Sequence, residues 1–332
     1  MSFVVLPDQN QVQGVFRITY ALVVLPMAFI LWHPSATRIV QLAGSYVLGT
    51  CISVVYGVIN GPGPDGRNLG LTFHPNGLGH TALMSIALLP FLIAMRPSAR
   101  WVFITAGAIC SYGIWISGSR GSLIGLVLVG LVYVLIERSA VAALFAWGCA
   151  IVLVTAWPSV SSQDSNNVLS RLIGGGSSGD ANGQRLQALH EAVAQIDGHP
   201  FRGNGFATIR AAQDAYVQIS AALGIFGLIA LLLILFALVA PLVTGRAPRR
   251  LLCYVPAAYM LLAPFTDSLS DTLVWAPLSL SVLARAMPPE FAAESPRHET
   301  AATGPQVTPP GRAPVPLPAV ASGSRAARGT SS

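Results

Sequence analysis

A chain of 332 residues in which 53% are hydrophobic and only 10% are charged is too apolar to cover itself with water as an ordinary soluble domain does. The formal net charge of +6 is built on arginine alone, because no lysine occurs, and no interleaved aromatic and basic surface accompanies it. These features exclude a soluble enzyme and a nucleic-acid-binding module, and they point to a protein that crosses a lipid bilayer several times.

Apolar stretches run over 15–32, 39–59, 78–95, 101–117, 122–136, 140–157, 216–243, 251–265 and 273–287. Each approaches the roughly 20 residues that a helix needs to cross about 30 Å of hydrocarbon. The expected fold class is all-α: a polytopic membrane protein with about nine transmembrane helices, one long partly helical external loop and a disordered tail. Pro256, Pro264 and Pro277 interrupt the last two stretches, which makes them candidates for broken or re-entrant helices. The chain then divides into an N-terminal helix bundle (1–157), an external loop (158–215), a C-terminal set of helices (216–287) and a Pro/Ala-rich tail (288–332). The tail has too little apolar surface to offset chain entropy and reads as disordered.

Arginine counting sets the orientation. Arg38, Arg96, Arg100, Arg138, Arg246, Arg249 and Arg250 fall on the same side as the tail, while Arg67 and Arg120 fall on the other. The positive-inside rule puts the first group in the cytoplasm and the loop outside a cytoplasmic (inner) membrane. An external N-terminus then calls for a first span that inserts as a reverse anchor, or for a natural chain that begins further upstream. Cys51, Cys110, Cys149 and Cys253 lie in apolar stretches without C-x-x-C spacing and read as buried free thiols.

Inside the loop, 174–179 is glycine-rich and reads as a hinge, and Asp180-Ala181-Asn182-Gly183 reads as a turn. The spacing of Leu186, Leu189, Val193 and Ile196 predicts a helix over 184–196, with Arg185, Gln187 and Glu191 on its other face. A tight glycine-rich turn follows over 198–206, its backbone amides available to an anion. Ala221, Ala222, Gly224 and Gly227 give the next helix a small-residue face suited to close packing.

The order of these pieces carries a resemblance. Arg185-Leu186-x-x-Leu189 is followed by His199-Pro200-x-x-Gly203-x-Gly205, the polar pair Gln213-Asp214, nine residues from Ala215 to Leu223, and Gly224-x-x-Gly227. Two shorter pieces, Phe73-His74-Pro75-Asn76-Gly77-Leu78-Gly79 and Ser117-Gly118-Ser119-Arg120-Gly121-Ser122, are similar in the same way. Together they resemble the O-antigen ligase and polymerase family. That resemblance implies transfer of a glycan from a polyprenyl-diphosphate-linked oligosaccharide to an acceptor glycan or glycolipid at the outer face of the membrane. The chain departs from the family where the family's histidine falls on Gln213, which cannot accept a proton.

The chemistry so implied loads negative charge onto a leaving diphosphate, which fixed arginines stabilise. Arg185 is the first candidate for this clamp, against a plain reading as a solvated helix face. Arg120 is the second, against a residue snorkelling to headgroups. Arg202, Arg210 and Gln213 complete the substrate-binding candidates, and Arg67 ranks below them. For a base near the acceptor hydroxyl the candidates are Asp214, His190 and His199, although Asp214 is equally suited to capping the helix that follows it. His74 and His80 flank the start of the third stretch and read as ordinary loop histidines. No Asp-x-Asp, His-Glu-x-x-His or carboxylate cluster occurs, so the reading calls for no metal and no cofactor. Two other readings stand beside transfer: a non-catalytic relative that binds a lipid-linked glycan, and a polysaccharide or lipid transporter.

Overall fold

The computed structural model describes residues 9–63, 66–138, 178–205, 214–266 and 272–286. The expected span over 140–157, most of the loop before residue 178, Arg210, Gln213 and the tail lie outside the described residues. Within them the protein is all-helical. It is a polytopic membrane protein, and among the described residues six helices are long and apolar enough to cross a bilayer.

The first span, Val15–Trp32, joins α1 (Gln9–Thr19) and α2 (Leu25–Trp32) through a widened turn over Tyr20–Val24. Its cause is Pro26, which has no N–H to give and whose ring crowds the carbonyl of Leu22. The Leu25 amide instead reaches back to the Tyr20 carbonyl. Next come α3 (Ala36–Asn60), α4 (Pro75–Met95), α5 (Arg100–Ser117) and α6 (Arg120–Glu137). Each start is chemically marked. Ser35 and Ser119 cap α3 and α6, and the His74 ring caps α4 with Pro75 in the first turn. Gly118 in the left-handed conformation ends α5, so only Gly118 and Ser119 separate α5 from α6.

α4 is the centre of the bundle: 72% of its apolar window is buried, against 6% for Val15–Trp32 at the periphery. α3, α5 and α6 pack round it, as do α9 (Tyr254–Leu262) and α10 (Thr272–Leu280). The two proline-bearing stretches are not membrane-length helices. The first is α9 between two tight helical turns, Arg249–Cys253 and Ala263–Phe265; the second is α10 followed, after Ser281 and Val282, by α11 (Leu283–Ala286). These short pieces are nonetheless deeply buried, with Tyr254, Tyr259, Leu262 and Val274 fully enclosed. Protein neighbours therefore take the place that lipid takes round a spanning helix, and the breaks in hydrogen bonding are tolerated.

Helix order puts Arg38, Arg96, Arg100, Arg138, Arg246, Arg249 and Arg250 at one end of the bundle and Arg67 and Arg120 at the other. Arg38 lies over Trp32 and Arg100 over Trp101, cation–π pairs of the kind that mark a membrane interface. At this end Arg250 pairs with Glu137, whose second oxygen accepts from the Tyr254 hydroxyl at 3.1 Å.

Outside the bundle, α7 (Ser178–Gly198) leads towards α8 (Ala215–Thr244). The expected turn at residues 180–183 is absent, because α7 runs straight through it. A local turn preference is weaker than propagation of an existing helix, where each added residue gains a hydrogen bond. The buried face of α7 also differs from the expected one. Leu186 and Val193 are exposed, while Ala192 is buried against Ala221 with Ile196 and Val217 beside them. Arg185 and Leu189 fall on this inner face, two turns and one turn before Ala192, and Arg185 is half-buried. Small Ala192 and Ala221 allow a close approach that leucine and valine would block.

α8 is two helices in one. At Gly224 the backbone leaves the helical region, with φ 69° and ψ −167°. The turn after α7 fills the break: the Asn204 amide donates to the Ala221 carbonyl at 2.8 Å and the Gly205 amide to the Ala222 carbonyl at 2.9 Å. In return the Ile225 amide donates to the Pro200 carbonyl at 2.9 Å. A Cβ on Gly203 would overlap the Ala222 carbonyl, and one on Gly224 the Phe201 carbonyl, so both positions require glycine. The Asn204 and Gly205 amides are thus committed to α8 and the Gly203 amide to His199, so these three do not face an anion as expected. Gly224 likewise serves as the seat of this clip, not as part of a packing stripe.

Candidate functional site

The polar groups of the arginine-poor end form two neighbouring clusters. The first is built by the α3–α4 connection and the α5–α6 turn. Arg67 is only 6% exposed. Its Nε donates to the Ser117 carbonyl at 2.7 Å and its Nη2 to Asn76 Oδ1 at 2.6 Å. One guanidinium therefore joins the end of α5 to the first turn of α4. Ser117, Ser119 and Ser122 are buried around this joint, the hydroxyls of the latter two 2.9 Å apart. The close approach rests on Gly79, where any Cβ would crowd all three serines. His80 is buried one residue on, its Nδ1 3.3 Å from the Thr266 hydroxyl. Arg120 opens α6 half-buried at the edge of this cluster.

The second cluster lies where α7 meets α8. Asp214 caps α8: its Oδ1 accepts from the Tyr216 amide at 2.9 Å and the Val217 amide at 3.1 Å. Both bonds use the same oxygen, and among the described residues Oδ2 makes none. Burial is the dominant influence on this carboxyl and pushes its pKa above the ordinary value, against the lowering effect of the two amides. Arg185 stands seven residues before Ala192, as Asp214 stands seven before Ala221. The turn that follows α7 docks beyond Ala221, so α7 and the first part of α8 run in the same direction. This register carries the Arg185 end of α7 towards the Asp214 end of α8.

One segment borders both clusters. Gly121, beside Arg120, packs against Phe265; His80 meets Thr266; and Tyr216, two residues after Asp214, donates its hydroxyl to the Met260 carbonyl at 3.0 Å. Tyr216 is therefore held by α9 instead of anchoring at the membrane surface. His190, His199 and Arg202 are exposed and are not drawn into either cluster by any contact described. Among the described residues no group of three or more His, Cys, Asp or Glu side chains is placed to hold a metal ion.

The residues that sequence reasoning ranked lowest are the most enclosed. Arg67 and His80 read as loop residues because their partners are far away along the chain: Arg67 bonds across 50 residues and His80 across 186. A signal was present in the two short pieces 73–79 and 117–122, each a run of small and polar residues directly against an apolar stretch. No protein-family model matches the chain, and no curated protein matches its sequence.

Proposed function

We propose that the protein transfers or polymerises a glycan from a polyprenyl-diphosphate-linked donor onto an acceptor sugar at the outer face of the cytoplasmic membrane. The observation that carries this reading is the built polar end of an otherwise apolar bundle. There the buried Arg67 stiffens the turn that presents Arg120, and the register of α7 on α8 directs Arg185 towards the start of α8. The arginine-rich opposite end belongs in the cytoplasm by the positive-inside rule, which directs these groups outwards. In the reaction the acceptor hydroxyl oxygen bonds to the anomeric carbon of the donor sugar as the bond to the diphosphate oxygen breaks. Arg120 and Arg185 take up the charge that grows on the diphosphate, more effectively beside lipid than in bulk water. Asp214 receives the hydroxyl proton on Oδ2, the oxygen its capping role leaves idle, and its raised pKa suits that task.

Purified protein given a polyprenyl-diphosphate glycan and an acceptor releases the diphosphate carrier, with Arg120→Ala and Arg185→Ala each slowing release by about 100-fold or more. Absence of release with a series of donors and acceptors refutes the transfer reading. A second reading, binding of a lipid-linked glycan without transfer, is favoured by the two amide bonds that engage Asp214 and by Gln213 at the family's histidine position. It predicts arginine-dependent retention of the intact donor with no release.

A further inference from the structure

The four cysteines are scattered in the sequence, yet two of them meet. Cys51 on α3 and Cys110 on α5 are free thiols with their sulfurs 3.9 Å apart. The helices hold them in register. One turn further along both, Gly113 packs so closely on Val54 that a Cβ there would strike the valine side chain. Both pairs have the same sequence offset of 59, so α3 and α5 run parallel and pack closely beside the thiols. The Ser85 hydroxyl of α4, itself donating to Thr50 at 2.8 Å, also reaches Cys110.

Depth and access determine what can react there. Cys51 stands 15 residues after the first and nine before the last residue of α3, about 14 Å or more from either helix end. Hydrocarbon at that depth admits a lipid-soluble oxidant more readily than a water-soluble one. Leu48, Ile52 and Val55, on the turns around Cys51, are 61%, 53% and 47% exposed on a membrane-spanning helix. Cys110 is enclosed behind it.

We propose that Cys51 and Cys110 form a dithiol site for a lipid-soluble quinone, which oxidises them to a disulfide that clasps α3 to α5. Two S–H bonds break and one S–S bond forms; the two electrons and two protons pass to the quinone, which leaves as hydroquinone. Cys51 is the sulfur that meets the quinone from the lipid side, and Cys110 is the resolving thiol in contact behind it. Closing needs a sulfur approach from 3.9 Å to about 2 Å. The clasp lies beneath the loop that carries Arg67, since Gly57 and Ser53 of α3 contact Gly70 and Leu71 and the Asn68 amide donates to Ile116 of α5. The proposal is independent of glycan transfer.

The test uses the full chain in lipid nanodiscs, treated with a short-tailed alkyl benzoquinone or with oxidised glutathione, then denatured and labelled with a thiol-reactive polymer. The quinone is expected to protect two of the four thiols and to yield one hydroquinone per chain. A Cys51–Cys110 linked peptide two hydrogens lighter than its parts is expected in the digest, and oxidised glutathione is expected to do none of this. Cys51→Ser and Cys110→Ser each abolish protection and hydroquinone formation, while the Cys253→Ser control keeps both. Full labelling of all thiols after quinone treatment overturns the proposal, as does protection that persists in Cys51→Ser. Unfolding temperature, measured on every variant, separates a lost reaction from a lost fold.

Discussion

At the scale of single residues, Asp214 is seen as the cap of α8, and the proposed transfer gives it the further role of base. Its Oδ1 caps α8, and its Oδ2 is left for other work. Asn retains a capping oxygen and loses the charge; Ala loses both. Asp214→Ala is expected to destabilise the protein by about 1 kcal/mol in detergent unfolding, with Asp214→Asn close to the parent. Transfer should fall by about 100-fold or more in both if the carboxylate is the base. Burial raises the Asp214 pKa, so the fold favours the protonated form. The stability this lends is complete below the ordinary carboxylate value and is lost as pH rises through the raised one. Unfolding temperature should therefore decline with pH across the window just above the ordinary carboxylate range, and Asp214→Asn should flatten that decline.

Arg67 is the other decisive residue. Arg67→Ala strands a buried carbonyl and a half-buried amide oxygen, and is expected to cost roughly 2–4 kcal/mol. Arg67→Lys keeps the charge but not the planar fork, so it should recover only part of that loss in the same unfolding measurement.

At the scale of elements, the clip between the 200–205 turn and the break in α8 governs how the external region is held. Gly224→Ala places a side chain in a backbone region that is essentially glycine-only and drives it into the Phe201 carbonyl. The expected outcome is release of the turn without loss of the bundle. Amide exchange in α7 and protease cutting near residues 199–205 should rise, while the core helices stay protected. Gly203→Ala should behave alike, because it collides with the same joint from the other side. Unchanged exchange in α7 in both variants would show that the clip does not hold it.

At this scale some of the structure was legible and some was not. Helix ends were: Asp214 before an apolar run and Pro75 after His74 are local signals, read out within a turn. The face of α7 was not. Leu186 and Val193 fit the expected stripe, yet burial followed Ala192, because the partner surface is the alanine-lined Ala221 region and selects for small size over hydrophobicity. The break at Gly224 was equally hidden, since a glycine in an apolar helix looks the same whether it packs a neighbour or opens the backbone.

At the scale of the whole molecule, the arginine asymmetry and the helix order agree on two distinct ends. With the arginine-rich end in the cytoplasm, His190→Cys on exposed α7 should be labelled in intact cells by a membrane-impermeant maleimide, using a background in which the four natural cysteines are serine. Labelling only after the membrane is broken open would reverse the orientation and with it the outward-facing site.

Composition by itself determined that this chain lives in a membrane as helices, because long apolar segments call for hydrocarbon and a backbone there must satisfy its own hydrogen bonds. It also exposed the polar segments from which a site must be drawn. Only the tertiary structure decided which of these meet: Arg67 with Ser117 and Asn76, His80 with Thr266, Cys51 with Cys110, and the 200–205 turn with the open backbone of α8. Most of those pairings join residues far apart along the chain, and a linear pattern carries no term for distance in space.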